Sequence, residues 1–110
     1  MEKSIEAYKQ EILTAIKDIE DFSAGFNLPG FIKNVQGYKA TVLSLLLIGE
    51  LMSKMPDSVR KQNSVIPWEQ IIGLRHRIAH DYFGLDEDIL WKIIHDDIPA
   101  LRDEIKKLHD

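Results

Sequence analysis

With 110 residues, 45% of them hydrophobic and 29% charged, the chain has the composition of an ordinary globular domain, which excludes general disorder and a second sizeable core. Its formal net charge of -4 excludes a protein that grips polyanions mainly through bulk counterion release, and the absence of cysteine excludes disulfides and thiolate metal sites. The mixed-charge start Met1-Glu2-Lys3-Ser4 lacks the basic region and apolar core of a signal segment, and the longest apolar run, Val42 to Gly49, falls far short of the roughly 20 residues that span a membrane; a cytoplasmic location with no membrane span is expected.

Ile5, Tyr8, Ile12, Ile16, Ile19 and Phe22 recur at steps of three and four, so a first helix is expected from about Ser4 to Phe22, ended by Ser23-Ala24-Gly25. Asn27 to Gly30 reads as a loop before a second helix, from about Phe31 to Lys54, with Gly37 a possible break near its start. From Val42 to Leu51 nearly every face of that helix is apolar, so it should be surrounded by the bundle core or by a second subunit. Pro56 closes it, and Asp57 is placed to cap a short helical turn through Lys61.

Pro67 suits the first turn of a third helix, carried by Trp68, Ile71, Ile72, Leu74, Ile78 and Ala79 toward Gly84. Asp86 is a good cap for a fourth, whose stripe runs through Leu90, Ile93, Ile94, Ile98, Leu101, Ile105 and Leu108. Long helical patterns, short connections and no period-two segment predict an all-α fold, an antiparallel four-helix bundle with up to five helices, as one domain over residues 1–110. The apolar second helix also predicts a homodimer, because leftover apolar surface is commonly buried by symmetric pairing.

The chemistry is concentrated in Arg75-His76-Arg77-Ile78-Ala79-His80-Asp81-Tyr82. Two guanidiniums, two imidazoles and a phenol there suit phosphate binding and proton transfer. Residues 54 to 80 carry Lys54, Arg60, Lys61, Arg75 and Arg77 against Asp57 and Glu69, so positive charge is focused around this run on an acidic chain. Arg75 and His80 are separated by about 140° of rotation and roughly 7.5 Å of rise on an unbroken helix. Their cooperation therefore needs a helix that loosens near His80, an arginine that wraps around, or a cleft shared between two subunits. In such a cleft His80 could act as acid or base on a ribose 2'-hydroxyl while Arg75 clamps the phosphate, assisted by His76 and Arg77. Tyr82 and Phe83 could stack on a base.

Arg75, four intervening residues, His80, one residue and Tyr82 resemble the RX4HXY signature of HepT-like toxins in the HEPN superfamily. The likeness extends through Ile48-Gly49-Glu50, Ile66-Pro67-Trp68, Ile71-Ile72-Gly73-Leu74-Arg75, Tyr82-Phe83-Gly84 and the helix around Trp91, covering about Ile32 to Leu108. This resemblance implies an all-helical homodimer whose facing motifs form a metal-independent ribonuclease site, with Arg75 and His80 catalytic and no cofactor. It also implies a cognate nucleotidyltransferase antitoxin that transfers AMP onto the motif tyrosine, here Tyr82. The chain departs from the family's pattern in the second helix, where Leu43, Ser44 and Leu46 stand in place of an Arg-Asn pair and a glutamate.

Other readings of the same residues are weighed beside this one. Arg75 could be a structural ion-pair partner of Glu50 or Glu69. His76 and His80, four apart, have a zinc-like spacing, but no glutamate follows His76 and arginines flank it. Trp68 and Trp91 read as packing anchors, and Lys54, Arg60 and Lys61 as ordinary surface charge more than RNA contacts. The alternatives to a nuclease are a non-enzymatic module that binds nucleotide or accepts AMP, and a structural dimerisation subunit.

Overall fold

The computed structural model describes residues 3–81 and 86–109, the side chains of 79–81 excepted. Among the described residues all regular structure is helical: α1 (Ile5–Ser23), α2 (Leu28–Lys33), α3 (Val35–Ser53), α4 (Asp57–Gln62), α5 (Trp68–Asp81), α6 (Glu87–Lys92) and α7 (Ile98–Lys106), with a π-helical segment, Ile93–Asp97, joining the last two. The four expected long helices are thus α1, α3, α5 and the composite α6–α7 arm.

Helix ends follow local chemistry. The Ser4 hydroxyl accepts from the Ala7 amide at 3.1 Å to start α1, and Gly25, with φ of 80°, turns the chain out beyond its end. The Asp86 carboxylate accepts from the amides of Asp88 and Ile89, as its capping role predicts. Asp57 does not cap α4; Pro56 occupies the cap position and Asp57 lies in the first turn, where its charge faces the positive end of the helix.

Further sequence expectations shift: Asn27 to Gly30, expected as loop, form the cap and first turn of α2. The expected second helix is interrupted at Asn34, not Gly37, giving the short α2 before α3. Gly37 is instead a contact residue: a Cβ there would come within 2.5 Å of the Asn34 side chain. The expected fourth helix runs on but widens over Ile93–Asp97, and the Ile98 amide reaches back to the Ile93 carbonyl. Pro99 explains this, because it has no N–H to donate and its ring crowds the carbonyl four residues back.

Ile12, Ile16 and Ile19 of α1, Leu45, Ile48 and Met52 of α3, Ile78 of α5, and Ile98, Leu101 and Ile105 of α7 are fully or almost fully buried in one core. Each such side chain contributes about 1.5–3 kcal/mol of burial. The core holds α3 against both α1 and α5, and α7 against α1. An Arg102–Glu20 ion pair ties α7 to α1 at the surface. Asn63, buried after α4, donates to the carbonyls of Val59 (2.8 Å) and His109 (2.7 Å) and accepts from the His109 amide, clamping the C-terminal segment. No helix among the described residues is long and apolar enough to cross a membrane.

Candidate functional site

The site begins where α5 crosses α3. Gly49 has no side chain, and a Cβ placed on it would lie 2.7 Å from Arg75 Cβ and 3.5 Å from the Ile71 carbonyl. That gap lets α5 settle directly on α3 with Arg75 at the contact. The next residue on α3, Glu50, takes the Arg75 guanidinium in an ion pair through Nη1, and Lys54 stands 3.8 Å from the same carboxylate. Only 27% of the Arg75 side chain is exposed, so the guanidinium is held in a semi-enclosed position. The other terminal nitrogen, Nη2, lies 3.3 Å from His76 Nε2. A guanidinium can only donate, so this contact requires His76 Nε2 to be unprotonated.

Arg75, His76, Glu50 and Lys54 are therefore gathered on one side of α5. Arg77 is not with them: it is exposed and lines a groove on the side of α5 that faces α6 and α7. Two residues along a helix turn the side-chain direction by about 200°, which accounts for the separation. α5 continues without interruption through His80 to Asp81, so the expected loosening near His80 does not occur before the helix ends. His80 thus stands in the last turn, five residues beyond Arg75, a spacing that sets the two on different faces of one helix. The His80 side chain and the whole of Tyr82 lie outside the described residues.

Several neighbours have structural duties. Arg60 donates to the carbonyls of Met55 (3.1 Å) and Ser53 (2.8 Å), satisfying the C-terminal end of α3, and sits over the Trp68 ring. Trp68 is buried and donates its Nε1–H to the Asn63 carbonyl at 3.1 Å. Trp91 is half-buried against Phe31, with ring centroids 5.2 Å apart, and His95 stacks beside it at 4.1 Å. These contacts fit the packing reading of both tryptophans.

On α3, next to the Arg75 cluster in sequence, Leu43 is 66% and Leu47 is 47% exposed. One turn apart, they form a short exposed apolar strip on α3. Ser44 is buried and Leu46 half-buried, so of the positions where the chain departs from the family's polar pattern Leu43 alone is strongly exposed.

Comparison with known proteins places the chain in a family. The family described as "Ribonuclease HepT-like" matches residues 12–108. The chain is 32% identical over 108 residues to the "Probable ribonuclease HepT" of Thermococcus cleftensis, covering 98% of both chains. It is 30% identical over 104 residues to "Putative RNase MJ1380" of Methanocaldococcus jannaschii, covering 94% of this chain and 95% of that one. With "Putative RNase TTE0752" of Caldanaerobacter subterraneus it shares 31% identity over 106 residues, 96% of this chain and 95% of the other. No solved structure gives a significant match. The match over almost the whole chain shows that the protein belongs to the HepT-like ribonuclease family.

Proposed function

We propose that the protein is a metal-independent endoribonuclease toxin, active as a homodimer, that a nucleotidyltransferase antitoxin neutralises by modifying Tyr82. The observation that carries the reading is the seating of Arg75, fixed by Glu50 and Gly49 while α5 runs unbroken to His80. A cation held in place before substrate arrives is what stabilisation of a crowded phosphorane requires. Because Arg75 is held at Glu50 and His80 stands on another face of α5, we read the complete site as assembled between two subunits, with the Leu43–Leu47 strip as the pairing surface.

In the proposed reaction one His80 takes the proton from a ribose 2'-hydroxyl, and the resulting oxygen attacks the adjacent phosphorus. The P–O5' bond then breaks, the leaving 5'-oxygen takes a proton from solvent, His80 gives up its proton to solvent, and the products are a 2',3'-cyclic phosphate and a 5'-hydroxyl. Arg75 offsets the charge on the non-bridging oxygens. His76, bonded to Arg75, helps hold the guanidinium, whereas Arg77 faces away from it into the groove beside α6 and α7. In modification, the Tyr82 phenolic oxygen attacks the α-phosphorus of ATP and pyrophosphate leaves. The added AMP brings negative charge and bulk beside the cleft, which repels RNA.

The test is cleavage of RNA in the presence of a chelator. The reading requires cyclic-phosphate ends, and a fall of about 100-fold or more when Arg75 or His80 becomes alanine. Intact RNA under varied conditions would instead favour the non-enzymatic module, for which the Arg75–Glu50 ion pair is purely structural. Modification is read separately by intact mass after incubation with ATP and the nucleotidyltransferase: an AMP-sized increment should appear and should vanish in Tyr82→Phe.

A further inference from the structure

On the side of α5 away from the Arg75 cluster, a groove of about 680 Å³ separates α5 from the α6–α7 arm. Its apolar lining includes Ile71, Leu74, Ile93 and Ala100. The charged residues are sorted along it. Arg77 lies toward the C-terminal end of α5 and Lys92 ends α6, while Asp97 and Glu104 lie progressively farther along the arm and Glu69 lies in the first turn of α5. From Lys92 to Glu104 the rise is roughly 18 Å, about the span of five or six residues of extended chain.

A second observation concerns Glu104. Its Oε2 is shielded from solvent and has no hydrogen-bond donor among the described residues, although the residue lines the groove. The π-helical segment falls within the same wall, contributing Ile93 and Asp97. Such widened turns often occur where a helix face serves a ligand.

We propose that this groove is a docking site for an extended segment of a partner protein, five or six residues long. The segment is acidic where it meets Arg77 and Lys92, apolar across Leu74 and Ile93, and basic where it meets Asp97 and Glu104. A nucleic acid strand fits less well: it carries a negative charge at every step and would run against Asp97 and Glu104 over half its length. The inference rests on the groove and does not require the ribonuclease reading.

The experiment uses the whole chain as bait for a phage-displayed library of random linear heptapeptides, followed by fluorescence anisotropy of the selected peptides. Gly73 lines the groove and a Cβ built on it meets nothing within 4 Å, so Gly73→Trp fills the groove from an open helical position without disturbing the core. Selected peptides are expected to carry an acid, apolar residues and a base in that spacing. Their affinity should fall at least tenfold in Gly73→Trp and in the two charge variants Glu104→Gln and Lys92→Glu, whose folding is checked by circular dichroism. The proposal is overturned if no selected peptide depends on Gly73, or if both charge variants bind unchanged. It is also overturned if Gly73→Trp changes the oligomeric state, which would make a second copy the occupant, or if it abolishes binding of a short single-stranded RNA while peptides are unaffected.

Discussion

Arg75 stands over Gly49 so closely that a Cβ at position 49 would lie 2.7 Å from its own Cβ. The close crossing of α3 and α5 and the placing of the guanidinium are thus one event. Gly49→Ala should force α5 off α3, costing about 1–3 kcal/mol as an overpacked contact, less the gain of roughly 1 kcal/mol from helix propensity. Thermal unfolding should show a Tm lowered by several degrees, and RNA cleavage measured well below that Tm should fall further than the loss of folded protein explains.

Glu50 separates orientation from stability. The Arg75–Glu50 pair is partly exposed, with 27% and 44% of the side chains accessible, so its net contribution to folding should be under about 1 kcal/mol. Removing the charge in Glu50→Gln frees the guanidinium to move, and small displacements of a catalytic group cost up to about 100-fold in rate. Cleavage should fall by about 10- to 100-fold with little change in Tm, and Glu50→Asp should recover part of it. Equal activity in Glu50→Gln would show that Arg75 needs no such holding.

The Leu43–Leu47 strip gives a prediction about assembly. Both side chains are exposed in the subunit, so glutamate at both positions should leave the fold intact. Sedimentation of the double variant should report a monomer with native helicity and lost RNA cleavage. A dimer that persists would place the subunit contact elsewhere.

Asn63 is a stability test remote from the chemistry. Its side chain pairs with both the carbonyl and the amide of His109, which leucine cannot do, whereas the Val59 carbonyl keeps the backbone amide of residue 63 as donor. Asn63→Leu should destabilise by about 1–3 kcal/mol per buried group left unpaired, seen as a lower denaturant midpoint. Hydrogen exchange should show the segment after α7 loosened first.

The helical core was legible because its apolar residues repeat at helical spacing: Ile12, Ile16 and Ile19 on α1, and Ile98, Leu101 and Ile105 on α7, are buried as the pattern predicts. Local breaks were harder to read. Gly37 is conspicuous as a helix breaker, yet its missing side chain serves contact with Asn34, where the chain actually bends. Pro99 falls inside the stripe from Leu90 to Leu108, and its missing N–H is the local signal for the widened turn. At the site, the motif identified Arg75, and Glu50 was a nameable partner. That Gly49 makes room for the pair, and that Arg77 turns away toward another groove, depends on how two helices cross, which no local pattern encodes.

The central claim is that Arg75 and His80 complete a cleavage site across two subunits. Arg75→Ala and His80→Ala proteins, each inactive alone, can be mixed, unfolded and refolded together, and RNA cleavage measured against wild type. Random pairing makes about half of the dimers mixed, each with one intact Arg75–His80 combination across the interface, so roughly one quarter of wild-type activity should return. A mixture no more active than either variant alone would contradict the shared site, as would wild-type activity in either single variant.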